Sequence, residues 1–201
     1  MSRDIRAVPL EAAGVRLEPL AEIHREGLRA AAQAPEIWTH MPTVGLGEAF
    51  DRWFDGSLAA CETPAETAWA VRRLDDGALV GSTRYLNIDA ANRRVEIGHT
   101  WYNPAVWASA VNPACKLMLL RHGFETLGLN RIELKTDIRN TRSQAAIAKL
   151  GAVREGVFRA HMVRPDGSLR DTVYFSVIAP EWPAVGEGLA ARIAAFSKET
   201  V

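Results

Sequence analysis

The segment between residues 93 and 150 constrains the fold of this chain more than any other. It reads as an apolar strand at 93–102, a loop ending at Asn112-Pro113, a helical stretch through 127, a second strand at 131–138, and a second helix opened by Asn140. Two consecutive strand–helix steps favour neighbouring strands that run parallel. We therefore predict that one helix begins beside the ends of two strands.

The flanking segments predict antiparallel strands and further helices. A short strand ends near residue 20, helices are expected over 20–33 and 47–61, strands over 68–74 and 78–87, and a last hairpin turns at Asp166-Gly167. A final helix is expected over about 183–198. The sequence thus predicts one α/β domain over residues 1–201, with its core at about 14–180. Its central sheet is mixed and mostly antiparallel, with helices on both faces.

The helix start at Asn112-Pro113 is a candidate anion site. Asn is favoured as a helix N-cap and Pro at the first helical position. We expect the N–H groups of Ala114, Cys115 and Lys116 to lack partners inside the helix and to point outward with the positive end of its dipole. Such an end binds phosphate. For an isolated Asn-Pro pair, simple capping is the more frequent explanation.

Glu96 is a carboxylate within an apolar strand, between Val95 and Ile97. Its side chain either faces solvent or lies in a cleft, and strand alternation alone does not separate these alternatives. A carboxylate in a cleft could accept a proton from a substrate amine, because an amine attacks only when neutral and is mostly protonated at pH 7. Partial burial beside Trp101 or Tyr102 would raise the glutamate's pKa and make it a stronger base.

These segments resemble the GCN5-related N-acetyltransferase (GNAT) superfamily, and within it the branch that acetylates ribosomal-protein N-termini. The resemblance covers roughly residues 14–180. It is carried by Glu96-Ile97-Gly98, by the loop 107–112 at the position of the family's Gln/Arg-x-x-Gly-x-Gly/Ala pyrophosphate loop, by Asn140-Thr141-Arg142-Ser143, and by the hairpin 165–176. The resemblance implies acetyl-CoA as co-substrate and a parallel strand pair that splays apart around its pantetheine arm.

The resemblance also implies which residues contact coenzyme A: Thr100, Trp101, Tyr102, Trp107, Ala108, Ser109, Ala110, Val111, Asn112 and Asn140. The Thr100 N–H would face the thioester oxygen, unless ordinary sheet bonding occupies it and the Tyr102 N–H. Asn140 would bind the pantetheine amides. The loop departs from the family pattern, because Trp107, Ala110 and Asn112 stand where Arg or Gln and two small residues are usual. Glycine permits positive φ, so Ala110 fits only if its φ stays negative. Lys116, Arg121 or Arg142 could replace the missing positive charge.

The resemblance assigns Glu96 as the general base, acting through a water, and Ser143 as the acid that protonates the departing thiolate. Ile147 occupies the position of the family's usual tyrosine and cannot donate a proton. Ser143 could instead be a simple helix-start serine. The first two helices would supply an acceptor pocket from Trp38, Met41, Trp53 and Phe54, although helix packing explains these four equally well. His99 could assist the base if it faces the cleft, although a structural role is the more frequent explanation for it.

Composition narrows the functional classes. Lys plus Arg and Asp plus Glu are 24 each, so we expect no nucleic-acid partner. No apolar stretch approaches the roughly 20 residues of a membrane span, and residues 1–6 lack a signal core, so a cytoplasmic protein without membrane contact is expected. The five histidines and two cysteines show no metal-ligand spacing, so no metal is expected. A hydrolase of the Gly-x-Ser-x-Gly type lacks its motif.

The sequence therefore predicts an acyl-CoA-dependent N-acetyltransferase that acts on a primary amine, either a protein N-terminus or a small amine. A homodimer is compatible with this prediction. The alternative is a non-catalytic acyl-CoA-binding sensor or partner module on the same fold. The altered pyrophosphate loop favours the sensor slightly, whereas Glu96 together with Ser143 favours the enzyme.

Overall fold

The computed structural model describes residues 5–198, and the side chains of residues 5–196. The strands are β1 Leu10–Ala12, β2 Val15–Pro19, β3 Thr67–Arg73, β4 Leu79–Asp89, β5 Arg94–Tyr102, β6 Arg131–Asp137, β7 Val153–Val163 and β8 Leu169–Ile178. The helices are α1 Arg25–Ala31, α2 Ala49–Cys61, α3 Val111–Arg121, α4 Thr141–Ala148 and α5 Trp182–Lys198. The predicted α/β class and element order are confirmed.

The eight strands of the described chain form one sheet in the order β1-β2-β3-β4-β5-β6-β8-β7. Among them, β5 and β6 alone run parallel, and they pair for three residues each, ending at Glu96 opposite Glu133. Beyond this point β5 stays with β4 while β6 stays with β8. The two strands therefore part, and the predicted splay in a mostly antiparallel sheet is confirmed.

Helices cover both faces of the sheet, as predicted. On one face, Trp69, Val71 and Val95 belong to the core that also holds residues of α3, α4 and α5. On the other face, Ala70 and Trp101 belong to a second core with residues of α1 and α2. The alternation of Trp69, Ala70 and Val71 along β3 shows the period of two that sends side chains to opposite faces.

A bulge in β5 interrupts this alternation at His99. Gly98 lies opposite Arg84 of β4, whereas Trp101 lies opposite Ser82, so His99 and Thr100 together face a single residue of β4. His99 adopts a positive φ of 44°. One extra residue in a strand moves every later side chain of that strand to the opposite face of the sheet. Trp101 thus packs with α1 and α2, on the same face as Glu96, while Thr100 turns toward α3.

Several predicted boundaries were wrong. The helix expected over 20–33 is a 3-10 turn followed by the shorter α1, and β1 was not predicted. The long helix expected through residue 127 ends as α-helix at Arg121 and continues as a π-helical turn, in which the Leu127 N–H donates to the His122 carbonyl at 2.9 Å. A side chain at Gly123 would lie 2.5 Å from Ile132 Cδ1, so the turn packs closely on β6.

Candidate active site

The gap between β5 and β6 opens into a cavity of about 700 Å³. The divergent ends of β5 and β6, the loop before α3, the first turns of α3 and α4, and residues 36–42 contribute to its wall. Its size is typical of a site for a small-molecule or cofactor ligand. The cavity exists because no strand fills the space after the parallel pairing stops.

Glu96 lies at the apex of the splay and lines the cavity, although its side chain is almost fully buried. Its Oε2 atom accepts hydrogen bonds from Lys135 Nζ and Asn87 Nδ2, both at 2.9 Å. Burial raises the pKa of the Glu96 carboxyl above its usual value, and Lys135 and Asn87 offset part of that effect. Glu96 is therefore a strengthened base held in one orientation.

Gly98 leaves the space that the Glu96 carboxylate occupies. The two residues share one face of β5, and a Cβ at position 98 would lie 2.7 Å from Glu96 Oε1 and 2.6 Å from Leu86 Cδ1. Such separations are far below van der Waals contact. The Glu-x-Gly pattern of the strand thus has a steric cause, since the glycine permits the buried rotamer of the glutamate.

His99 also lines the cavity, and its Nδ1 atom is buried with no hydrogen-bond partner among the described residues. Burial lowers the pKa of His99 to about 4, and the positive charges of Arg84, Lys135 and Arg170 act in the same direction. The imidazole is therefore neutral at pH 7. The sequence favoured a structural role for His99, whereas the structure places it on the cavity wall, the position considered as the alternative.

The start of α3 differs from the predicted one. The helix begins at Val111, so Asn112 is its second residue and not its N-cap. The Ala114 N–H donates to the Ala110 carbonyl at 2.9 Å, which makes this predicted free donor an internal one. The same shift lets the N–H groups of Cys115 and Lys116 take part in the regular i→i−4 hydrogen bonds of the helix. Of the first three helical positions, Val111 donates to Ser109 Oγ and Pro113 has no N–H, so the outward-facing donor there is the Asn112 N–H.

Ser109 explains why the helix begins early. Its Oγ atom accepts the Val111 N–H at 3.3 Å and donates to the Val106 carbonyl at 2.6 Å, which closes a turn before the helix. Ala110 keeps a negative φ of −67°, the condition under which it fits the loop. The positive φ occurs instead at Ala108, at 57°. A non-glycine residue in this region is strained and is typical of functional loops.

Arg142 supplies the positive charge that the loop lacks. Its guanidinium carbon lies 3.7 Å from the centre of the Trp107 ring, and Trp107 Nε1 donates to the Tyr102 carbonyl at 2.9 Å. The tryptophan thus anchors the arginine by a cation–π contact at the cavity wall. Lys116 also lines the cavity, whereas Arg121 is exposed and does not.

Lys116 reaches from α3 to β5, where its Nζ atom donates to Thr100 Oγ1 at 2.9 Å. Thr100 Oγ1 also lies 2.8 Å from Thr83 Oγ1. Burial lowers the pKa of Lys116 to about 8, so the amine is mostly protonated at pH 7. A cationic group therefore lies beside the Thr100 side chain.

Asn140 and Ser143 open α4 at the opposite wall. Asn140 Oδ1 accepts the Ser143 backbone N–H at 3.0 Å, so Asn140 is the N-cap of the helix. The capping hydrogen bond is donated by the backbone N–H of Ser143, and the Ser143 hydroxyl takes no part in it. Both residues line the cavity together with Ile147.

The four aromatic and sulfur side chains expected in the acceptor pocket separate into two groups. Trp38, Trp53 and Phe54 are buried in the α1–α2 core, where the Trp38 ring lies 5.5 Å from the Trp101 ring. Only Met41 is on the cavity wall. Helix packing, the equal alternative at the sequence level, accounts for the position of the other three.

Sequence reasoning missed Lys135 and Arg170, which line the cavity, and Asn87, which contacts Glu96. Lys135 alternates with buried residues in β6, which is the one signal that could have suggested a partner for Glu96. Asn87 and Arg170 lie on other strands, and their approach to the site depends on the register of the sheet. No local sequence pattern indicates that register.

Comparison with known proteins decides the family. A family model described as "Acetyltransferase (GNAT) domain" matches residues 15–153. The chain belongs to the GNAT acetyltransferases. The predicted superfamily and the class of enzyme are confirmed.

Individual GNAT relatives agree with the family model. A Bacillus subtilis protein named "Putative ribosomal N-acetyltransferase YdaF" is 32% identical over 109 residues, 54% of this chain and 58% of that protein. A GCN5-related N-acetyltransferase structure from Brucella melitensis has a TM-score of 0.88 and 28% identity, covering 95% of this chain and 87% of that one. The structure of a "putative acetyltransferase" from T. thermophilus has a TM-score of 0.83 and 35% identity, covering 92% of this chain and 97% of that one. The chain spans 57–62% of the length of the three curated relatives that it matches.

Residues 5–198 of this GNAT protein contain no group of three or more His, Cys, Asp or Glu side chains able to hold a metal ion. The helices in that part of the chain are too short or too polar for any of them to cross a membrane.

The neutral state of His99 gives a testable pH dependence of stability. Between pH 4 and 6.5 the unfolded chain binds a proton at position 99 that the folded protein does not, so the free energy of unfolding falls as the pH is lowered through this window. His99→Asn, which tolerates the positive φ, should remove about 2 kcal/mol of that fall. Urea unfolding at pH 7 and pH 4.5 measures it, and an unchanged pH dependence in the variant would contradict the assignment.

Proposed function

We propose that this GNAT protein transfers an acetyl group from acetyl-CoA to a primary amine by direct attack of the amine nitrogen. The observation that carries the proposal is the position of Glu96 at the apex of a splayed strand pair whose other end opens at the start of α3. The splay offers space for a pantetheine arm, and Glu96 offers a base beside it. Acetyl-CoA would supply the activated acyl group.

The residues at the outer end of the cavity suit the coenzyme A moiety. The Asn112 N–H and the positive end of the α3 dipole favour a diphosphate. Arg142, held over Trp107, adds positive charge where the family pattern has an Arg or Gln. The Asn140 side-chain NH₂ is the proposed donor to a pantetheine amide, because its Oδ1 already caps α4.

The proton that blocks the amine would go to Glu96, directly or through one water. Both hydrogen bonds from Lys135 and Asn87 end on Oε2, which leaves Oε1 to receive the proton. The neutral nitrogen then bonds to the acyl carbon, the carbon–sulfur bond breaks, and the thiolate leaves, while the nitrogen loses its second proton to the solvent. The Thr100 N–H is the proposed donor to the oxyanion, with the Lys116 charge close by. Ser143 would protonate the thiolate and regain its own proton from the solvent.

The acceptor is a protein N-terminus or a small amine. The name of YdaF indicates a ribosomal acceptor for that relative, while the balanced charge of this chain gives no electrostatic attraction to a strongly charged macromolecule. A non-catalytic acyl-CoA sensor is the second candidate, and the altered loop with its strained Ala108 favours it.

Two measurements together test the proposal. Coenzyme A should bind in calorimetry despite the missing glycines, and acetyl-CoA should release free thiol when a panel of primary amines is added. Binding without amine-dependent thiol release would support the sensor. Absence of binding at millimolar coenzyme A would remove both candidates.

Replacement of the base should affect turnover and not cofactor affinity. Glu96→Gln should lower kcat by about a hundred- to ten-thousand-fold, because the amide accepts no proton. The wild-type kcat should also fall as the pH drops through the raised pKa of Glu96, and this acidic limb should be absent in the variant. Glu133→Gln, the same change at the register partner on β6, is the control and should keep wild-type kcat at pH 8.

Replacement of the acid should have a smaller effect. Ser143→Ala should slow the chemical step by about tenfold to a hundredfold, because a thiolate with a pKa near 8.5 can leave unaided. The helix cap should survive, since it uses only the Ser143 backbone. Thr141→Ala is the control on the same turn. Equal losses in both variants, with a lowered Tm, would reduce Ser143 to a capping residue.

A further inference from the structure

The face of the sheet that carries Glu96 also carries an arginine for which the described residues offer no hydrogen-bond partner. Arg170 lies on β8, it is 6% exposed, and it lines the cavity. Its Nε atom is buried and unpaired within the described part of the chain. Buried arginines are nearly always paired, because an uncompensated charge loses its hydration.

The neighbouring charges are already matched to one another. Glu96 pairs with Lys135 at 2.9 Å. Asp137 accepts two hydrogen bonds from Arg164, at 2.7 and 3.0 Å. Lys135 and Arg164 thus have carboxylate partners, whereas Arg170 has none among the described residues. A guanidinium without an ion-pair partner therefore lies on the same face of the sheet as the proposed base.

Sheet register places Arg170 on the acceptor side and not on the coenzyme side. Lys135, which contacts Glu96, lies opposite Tyr174, and Asp137 lies opposite Thr172. Paired residues share a face, and Arg170 is two residues from Thr172, so it shares that face too. Helix α3, whose start is the proposed diphosphate site, packs on the other face. The unpartnered His99 Nδ1 is a second polar atom on the same cavity wall.

We propose that Arg170 binds a carboxylate of the acceptor, so that the acceptor is an amino acid or a similar small molecule with its acid group close to its amine. The guanidinium presents parallel N–H donors that match the two oxygens of a carboxylate. The His99 ring can add one further hydrogen bond. Glu96 takes the amine end and Arg170 the acid end, which fixes the orientation of the nitrogen. The inference rests on the proposed function.

A protein N-terminus fits this arrangement less well. Its first carboxyl group is part of a peptide bond and bears no charge, so Arg170 would stay unpaired unless a side chain supplied the acid. The unpaired guanidinium therefore favours a free amino acid, and a protein acceptor becomes one outcome of the test.

The test compares acceptors that differ only in charge. L-Amino acids, their α-amides and the corresponding decarboxylated amines are assayed with acetyl-CoA by thiol release. We expect kcat/KM for the preferred amino acid to exceed that of its amide by about a hundredfold. Equal rates for acids and amides, or a preference for peptides with amide-linked first residues, would overturn the inference while leaving acetyl transfer intact. Absence of thiol release with every amine would count against the proposed function itself.

Variants connect the preference to Arg170. Arg170→Gln should reduce the acid-to-amide ratio to near one, whereas Arg159→Gln, an exposed arginine on β7, should leave it unchanged. Arg170→Met should also lose the preference without a lower Tm, because it removes a buried unpaired charge. A lower Tm in Arg170→Met with an unchanged ratio would make Arg170 a structural residue.

Equilibrium binding decides the inference independently of turnover. Calorimetry with coenzyme A present should show binding of the amino acids but not of their amides, and the binding should be lost in Arg170→Gln. Failure of every carboxylate to bind, or binding that survives the variant, would overturn the proposal whatever the thiol assay shows.

Discussion

The site depends on a parallel strand pairing that stops after three residues. If β5 and β6 remained paired beyond Glu96, their side chains and hydrogen bonds would close the space that now forms the cavity. Each strand can leave the other because it keeps an antiparallel partner on its far side. The backbone groups lost to the splay are thus confined to two strand edges that line the cavity, where water or a ligand can satisfy them.

Electrostatics on the acceptor face follow from this geometry. Glu96 is buried at the point where the strands part, and burial alone would favour its neutral form. Lys135, one strand away, restores part of the preference for the carboxylate. The pKa of the proposed base is therefore set by two opposed effects. The same low-polarity surroundings keep His99 neutral and make the free charge of Arg170 costly to leave unpaired.

The sequence predicted the parts of the fold that have local causes. Hairpin turns, the strand–helix repeat and the Asn140 cap have local residue signatures, and the family resemblance supplied the splay. The prediction that Asn112 caps α3 was wrong, because Ser109, three residues earlier, begins a turn from which the helix starts sooner. Local rules could not reveal Arg170 or Asn87, whose positions depend on which strands lie side by side. They also could not show whether Trp38, Trp53 and Phe54 line a pocket or pack between helices, since the sequence pattern of buried aromatic residues is the same in both cases.

The single extra residue at His99 makes the two halves of β5 contribute to two different surfaces. Upstream of it, Glu96 belongs to the surface proposed to meet the acceptor, and downstream Thr100 belongs to the surface that meets α3 and Lys116. Strand alternation would otherwise have sent both side chains the same way, since they are four residues apart. Changes in acceptor preference can therefore accumulate on β6, β8 and residues 36–42 while the half of the strand that faces α3 stays fixed. A fold organised in this way can diversify its amine substrates and retain one acyl donor.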